Sequence, residues 1–140
     1  MRTASWWVSV CLLTLPATRA GAQATLPDAA EQAKRAWAAH DAQALVGQSS
    51  SLVLQIPGAD PSSPLGRSQA IELLRRYLRP AEERGLDVTA LREVEAGKGF
   101  VELTRRYVVA GTTELRRETL FLGYRLMDGQ WRLAELRSAP

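Results

Sequence analysis

The chain has 140 residues, of which 24% are charged, with a formal net charge of +3, one cysteine and one histidine. This length corresponds to a single ordinary domain, and one cysteine excludes an intramolecular disulfide. A transition-metal site would have to be built on carboxylates, and no ligand spacing indicates one, so we predict neither a metal nor a cofactor.

The first residues, Met1 to Ala24, are predicted to be a secretory signal peptide. Arg2 provides the positive start, and the apolar run from Trp6 to Pro16 is too short to cross a bilayer as a helix. Ala22-Gln23-Ala24 is an A-x-A cleavage site. We therefore expect an exported protein, periplasmic or extracellular, whose folded domain is residues 25–140.

Removal of this segment changes the chemistry of the chain. It takes away Cys11, and because it contains Arg2 and Arg19 and no acidic residue, it lowers the formal net charge from +3 to +1. A charge this small does not indicate a nucleic-acid partner. Cys11 lies inside the apolar run and not after it, so no lipid anchor is expected, and no later segment is long enough for a membrane helix.

The first half of the domain is predicted to be mainly helical. Asp28 is a suitable N-cap for an amphipathic helix that extends to about His40, and a short helix follows over Ala42 to Val46. Ser50 to Ile56 is predicted to be a strand. The stretch from Gly58 to Gly66 is rich in proline, glycine and serine, which is typical of a loop.

The second half changes from helix to strands. Ser68 is predicted to cap a helix over Gln69 to Leu78, and Pro80 either ends it or begins one more turn through Glu83. Four strands are then predicted, over Val88 to Glu95, Phe100 to Val109, Thr113 to Leu126 and Gln130 to Arg137. Helices followed by a meander indicate an α+β fold, with the helices packed on one face of an antiparallel sheet.

Hairpin pairing predicts which side chains face the helices. An Asp128-Gly129 turn pairs Met127 with Gln130 and Leu126 with Trp131. Pairing Val109 with Thr112 at the preceding turn places several polar side chains on the same, more apolar face. These candidate pocket residues are Arg105, Tyr107, Glu118, Tyr124 and Glu135.

Two roles are open for these residues. In one, Arg105 binds an anionic group of a ligand and the carboxylates adjust the site. In the other, Arg105 and Glu118 form a satisfied ion pair near a sheet end, and the tyrosines are half buried. His40 likewise has two interpretations, as a general base or as a residue favoured at a helix C-terminus by the macrodipole.

The order of elements resembles the nuclear-transport-factor-2-like, or cystatin-like cone, superfamily. The final hairpin, Tyr124 to Leu133, carries the resemblance best, because Gly-Gln-Trp-Arg-Leu follows a long apolar strand. The segment from Pro64 to Ala70 is similar to a small secreted bacterial branch of unknown function. The resemblance implies a strongly curved antiparallel sheet, forming a cone whose mouth holds a ligand or is filled.

The resemblance also bears on catalysis. Ketosteroid-isomerase-type members use an aspartate base with tyrosine or protonated-acid donors. In the last four predicted strands the aspartates are Asp87, at a strand start, and Asp128, in a turn, so the expected site is missing. We predict a non-catalytic domain that binds a small apolar or amphipathic ligand or a partner protein.

Two alternatives remain, a small acid–base enzyme that uses His40 or Glu118 with a tyrosine donor, and a structural accessory domain with a filled cone. A homodimer is a further prediction, because the second side of the sheet carries apolar residues. These are Phe100, Val108, Leu115 and Phe121.

Overall fold

The structure, a computed structural model, describes residues 25–140. The predicted signal peptide, residues 1–24, with its cleavage site and Cys11, lies outside the described residues. Within residues 25–140 no helix is both long enough and apolar enough to cross a membrane.

Three helices are present: α1 (Leu26–Ala38), α2 (Ala42–Val46) and α3 (Arg67–Leu78). The N-cap of helix α1 is Thr25, three residues before the predicted cap, and its hydroxyl accepts a hydrogen bond from the backbone N–H of Asp28 at 3.2 Å. In α2 the Asp41 carboxylate accepts from the Ala44 N–H at 3.0 Å. Helix α3 also begins earlier than predicted, and Gly66 occupies its N-cap position.

Six strands form one sheet in the order β2-β1-β6-β5-β4-β3. Strand β1 runs parallel to β6, and the other neighbouring strands are antiparallel. The α+β prediction is thus confirmed. The strands are β1 (Ser51–Gln55), β2 (Leu65–Gly66), β3 (Ala81–Glu95), β4 (Lys98–Val109), β5 (Leu115–Met127) and β6 (Gln130–Ala139).

Strand β3 is nearly twice as long as predicted. It begins at Ala81, so the residues after Pro80 are extended and do not form a further helical turn. Its pairing with β4 shifts at three places, which shows that the strand bends repeatedly. At the first bend a Cβ on Gly85 would lie 2.3 Å from Nη2 of Arg106, so the end of the flexible Arg106 side chain would have to move. The early start matters for the site, because it places Glu83 in the sheet.

The hairpin register at Asp128-Gly129 is confirmed, with Met127 opposite Gln130 and Leu126 opposite Trp131. The preceding hairpin differs from the prediction by two residues. Val108 pairs with Leu115, and Arg105 therefore lies opposite Glu118. A register shift of two residues by itself does not change the face on which a side chain lies, because side chains alternate with a period of two.

A β-bulge in β6 corrects the predicted position of Glu135. Tyr124 pairs with Leu133, but the next residue, Gly123, pairs with Glu135, so Ala134 is the extra residue. One extra residue moves all later side chains of the strand to the other face. Glu135 therefore does not face the helices, and Leu136 takes the inward position, fully buried.

The helices cover one face of the sheet, which we call the inner face, and the core lies between them. Trp37, Leu74 and Leu78 from the helices pack there against the sheet. The sheet contributes the buried side chains of Val101, Leu103, Leu120, Leu122, Tyr124, Trp131, Leu133 and Leu136. The opposite face, which we call the outer face, carries the alternate side chains of the same strands. The inner side of the cone is thus largely filled.

Candidate functional site

A buried polar cluster lies on the inner face and is centred on Arg105, whose side chain is 1% exposed. Its Nε and Nη2 donate to the carboxylate of Glu83, with Nη2 at 2.6 Å from Oε1. Its Nη1 donates to Oε2 of Glu118 at 2.8 Å. Each guanidinium nitrogen therefore already has a carboxylate partner, and we call this group, with Tyr77, the Arg105 cluster.

Two side chains from the helices complete the hydrogen bonding. The Tyr77 hydroxyl, on α3, lies 2.6 Å from both carboxylate oxygens of Glu118 and 3.2 Å from the Ser138 hydroxyl. The indole N–H of Trp37, on α1, donates to Oε1 of Glu83 at 3.2 Å. Both carboxylates thus accept from an uncharged donor as well as from Arg105.

Aromatic rings surround the guanidinium. Its central carbon lies 3.9 Å from the ring centroid of Tyr107, 5.1 Å from that of Trp37 and 5.5 Å from that of Tyr77. A cation so close to ring faces is attracted by their negative quadrupole potential. These rings keep water from Arg105 while compensating part of its lost hydration.

The protonation states in the Arg105 cluster are stabilised by its geometry. Burial by itself would lower the pKa of Arg105, but the hydrogen bonds to Glu83 and Glu118 and the charge of Glu83 outweigh it, so this pKa is raised. Burial, followed by the bond to Glu118, raises the pKa of Tyr77. Arg105 stays charged and Tyr77 stays protonated, which makes the cluster a satisfied ion-pair network without a free donor for an anion.

The predicted pocket residues are only partly brought together. Arg105 and Glu118 are direct partners, and Tyr107 stacks on the guanidinium. Tyr124 is buried on the same inner face but belongs to the apolar core, and burial raises its pKa. Glu135 lies on the outer face, where it forms an ion pair with Arg137. The geometry therefore favours the ion-pair interpretation of Arg105 and Glu118.

Glu83 and Tyr77 are not among the predicted site residues. Tyr77 follows Leu74 by three positions on α3, so the helical spacing already places it beside the apolar stripe. Glu83 gives no such signal, because its segment resembles a continuation of the helix. Only the pairing of Glu83 with Tyr107 across β3 and β4 shows that it approaches Arg105.

His40 lies just after α1 and has a positive φ of 53°. Its Nε2 is 3.5 Å from Oε1 of Glu83, and the side chain is 30% exposed. Glu83 is already held by Arg105 and Trp37. His40 therefore lies at the edge of the Arg105 cluster as an additional, longer-range partner of Glu83.

The outer face has an open depression of about 780 Å³. A second depression of about 550 Å³ adjoins it and shares Phe100, Gly123, Glu135 and Arg137. We call the two together the outer groove. Its apolar lining includes Leu52, Val53, Val94, Phe100 and Met127, and its cationic lining consists of Arg92, Lys98, Arg125, Arg132 and Arg137.

The centre of the outer groove is formed by Gly123 and Phe100, which are cross-strand partners. A Cβ at Gly123 would come within 3.3 Å of the Cβ of Glu135, so any larger residue there would reduce the depression. Phe100 stacks on Phe121 at a centroid distance of 6.0 Å, and the Arg92 guanidinium lies 5.5 Å from the Phe100 centroid. The two aromatic rings therefore form the bottom of the outer groove, and charged side chains border it.

The apolar second side predicted for a dimer is only partly formed. Phe100 and Phe121 lie on the outer face, and Leu115 is 59% exposed at the start of β5. Val108 is instead 7% exposed, contrary to the prediction. The alternation of buried side chains along β4 changes phase near Tyr107, opposite the first bend of β3.

Within residues 25–140 no three histidine, cysteine, aspartate or glutamate side chains come together as a metal site. The arrangement offers two different surfaces. The inner one is a closed ion-pair network, and the outer one is an open, cationic groove. Only the second has room for another molecule.

No protein-family profile matches the chain, and no curated protein sequence matches it. Solved structures do. A ketosteroid isomerase-like protein from Erwinia carotovora has a TM-score of 0.70 at 16% identity, covering 84% of this chain and 97% of that one. A domain of unknown function with a cystatin-like fold, from Nostoc punctiforme, has a TM-score of 0.62 at 14% identity, covering 78% and 70%.

A putative calcium/calmodulin-dependent protein kinase type II association domain from Thiobacillus denitrificans is also similar. Its TM-score is 0.67 at 16% identity, and the match covers 83% of this chain and 94% of that one. Identities this low establish a shared fold, and the predicted resemblance is thereby confirmed at the level of the fold. The chain has the nuclear-transport-factor-2-like, cystatin-like cone fold.

Proposed function

We propose that this chain is an exported, non-catalytic binding domain whose ligand site is the outer groove and not the interior of the cone. One observation carries the proposal. Every guanidinium nitrogen of Arg105 is occupied by Glu83 or Glu118, whereas the outer groove is open and bordered by cations that reach solvent.

The lining of the groove supports a small amphipathic ligand. Phe100, Val94 and Met127 provide apolar contact, and five cations surround them against one lining carboxylate, that of Glu135. Ligand sites commonly combine an apolar wall with a few polar groups that orient the ligand. An apolar body with a polar or charged end matches this combination.

The non-catalytic assignment is supported by the hydrogen bonds of Glu118. As a general base, Glu118 would need a free oxygen directed at a substrate, but its carboxylate accepts from Tyr77 and from Arg105. A base must also lie within hydrogen-bond reach of the proton that it removes. The acid–base alternative that uses Glu118 therefore has less support than binding.

Export belongs to the proposal because of the sequence pattern over residues 1–24. A positive start, a short apolar run and the Ala22-Gln23-Ala24 site are the features of a secretory signal. The folded domain would then act in the periplasm or the medium, where it would meet ligands that are not cytoplasmic.

The binding site can be tested with a neutral apolar fluorophore, N-phenyl-1-naphthylamine. Its emission should rise on binding to residues 25–140, and Gly123→Val should weaken that binding because the new side chain fills the groove at Glu135. Thr119→Val, on the same strand and face, is the matched control. Equal binding by all three proteins, or none by the unmodified domain, would overturn the proposal.

Pairing of two copies through the outer face is a second candidate function. It is favoured by the stacked pair of Phe100 and Phe121 on that face, and one similar structure is named an association domain. Light scattering at micromolar concentration tests it directly. A monomeric mass would eliminate the homodimer, and a dimeric mass abolished by Phe121→Arg would support it.

A further inference from the structure

Three cations form a row across three neighbouring strands of the outer face. Lys98 on β4 lies directly opposite Arg125 on β5, and Arg125 lies directly opposite Arg132 on β6. All three line the larger depression of the outer groove. Side chains in directly opposed positions have Cβ atoms about 5 Å apart, so three positive charges occupy one short line. We call these residues the cation row.

Like charges in directly opposed positions destabilise a sheet. The local carboxylates compensate only weakly. Lys98 pairs with Glu95 at 3.2 Å on an exposed surface, and Arg132 reaches Asp128 at 3.6 Å. The side chain of Arg125, in the middle of the row, makes no hydrogen bond or ion pair with any other described residue. The row therefore retains uncompensated positive charge at its centre.

The cation row also has an unused donor away from water. The Nε of Arg132 is buried and has no hydrogen-bond partner among the described residues, and the side chain is 28% exposed. A buried donor without a partner is destabilising, because it has lost its hydrogen bonds to water. An oxyanion in the groove would neutralise Arg125, and it would satisfy this N–H once the Arg132 side chain turned toward it.

Another pair of opposed cations shows what distinguishes the row. Arg106 and Arg117 are also directly opposite each other, on β4 and β5. There, Arg106 lies 3.5 Å from Asp87 and covers Gly85, so its charge is shared with a carboxylate of the protein. That pair does not line the outer groove. Only the cation row joins charge, an unpaired donor and open space.

We propose that the cation row binds a phosphate-class oxyanion, either free or as the headgroup of an amphiphile whose chain lies over Phe100. This inference rests on the proposed function, because it specifies the charged end of the ligand in the same groove. Three cations around one site match a doubly charged group with several acceptor oxygens. Arginine is also suited to phosphate through its planar set of donors.

The test compares three probes, which are dodecyl phosphate, neutral dodecyl maltoside and inorganic phosphate. Both dodecyl compounds are used below their critical micelle concentrations. Displacement of N-phenyl-1-naphthylamine measures the first two, and calorimetry measures the third. Arg125→Gln should weaken dodecyl phosphate binding roughly tenfold, as for the loss of one charge-assisted hydrogen bond. Arg117→Gln is the control, since it removes the same charge about 27 Å away on the same strand.

Each outcome decides one point. Weaker dodecyl phosphate binding in Arg125→Gln, with dodecyl maltoside unchanged, supports the cation row as the headgroup site. Inorganic phosphate binding that equals dodecyl phosphate and is weakened by Arg125→Gln assigns the row to a free oxyanion. If both dodecyl probes bind alike and neither responds to Arg125→Gln, the inference is wrong and the groove remains. If no apolar probe binds, the proposed function fails as well.

Discussion

Arg105 shows how a single buried charge can be stabilised inside a small domain. A buried ion needs good geometry and full hydrogen bonding to offset its desolvation. Glu83 and Glu118 provide both, and the ring of Tyr107 covers the guanidinium. Removal of Arg105 would therefore leave both carboxylates buried without their cation, whereas Arg105 keeps one carboxylate partner when either glutamate is removed.

Arg105→Met should accordingly destabilise the domain by about 3–5 kcal/mol, because two carboxylates would remain buried without their cation. Urea unfolding followed by tryptophan fluorescence measures this loss. Arg117→Met, an exposed arginine on β5, should change stability by less than about 0.5 kcal/mol. Adding Glu83→Gln and Glu118→Gln to Arg105→Met should recover part of the loss. A cost below about 1 kcal/mol for Arg105→Met would contradict the network.

Tyr124 gives a prediction for alkaline pH. Burial raises its pKa in the folded state above the ordinary value of 10.0. Below that value both states are protonated and its contribution to stability is complete. At higher pH the unfolded chain loses the proton first, so the free energy of unfolding falls by about 1.4 kcal/mol per pH unit until the folded pKa is reached.

Tyr124→Phe should remove this part of the alkaline loss. Urea unfolding at about pH 9 and about pH 11 should therefore show a smaller decrease for Tyr124→Phe than for the unmodified domain. Tyr77→Phe should also reduce the decrease, but it should lower stability at neutral pH as well, because Glu118 loses a donor. Identical decreases in Tyr124→Phe and the unmodified protein would show that Tyr124 ionises normally.

At the scale of elements, α1 is docked on the sheet at Gly99. A Cβ at this position would lie 2.6 Å from Cδ1 of Leu26 and 3.2 Å from the ring of Trp131. Leu26 is the first residue of α1, so this contact sets how closely the start of the helix approaches β4. The absence of a side chain at Gly99 thus permits the close packing.

Gly99→Ala should then destabilise the domain by about 1–3 kcal/mol through overpacking. The combination with Leu26→Ala should cost less than the sum of the two single changes, because the smaller Leu26 side chain removes the clash. In Gly129→Ala the new Cβ would have no neighbour within 4 Å, but φ is 73°. This variant therefore measures the cost of backbone strain without crowding. Strict additivity of Gly99→Ala and Leu26→Ala would argue against the proposed contact.

The elements also show how far a pattern in the sequence leads. Asp128-Gly129 specifies its own hairpin, because both residues adopt positive φ, and the pairing beside it is predicted correctly. The bulge at Ala134 has no comparable signal, since alanine is compatible with any position of a strand. The extended start of β3 could not be predicted from the sequence either, because Ala81 to Arg84 favours a helix when considered alone.

For the whole molecule, the proposed export predicts the form in which the protein is found. Expressed in its own host with its complete sequence, the protein should be recovered outside the cytoplasm with an intact mass equal to residues 25–140. Mass spectrometry of the periplasmic and extracellular fractions tests this. A chain lacking residues 2–24 is the control and should remain in the cytoplasm. Full-length protein in the cytoplasmic fraction would contradict export.

The sequence alone determined the class of fold, because hydrophobic spacing and turn residues act over a few neighbouring positions. It also determined that Arg105 and Glu118 lie on one face. Only the tertiary structure decided their role, since Glu83 and Tyr77 lie 22 and 28 residues before Arg105 in the sequence and reach it only in the folded chain. It also decided the face of Glu135, because one extra residue in a strand reverses every later side chain. Local patterns specify elements, whereas partners far apart in sequence decide whether a charge is paired or free.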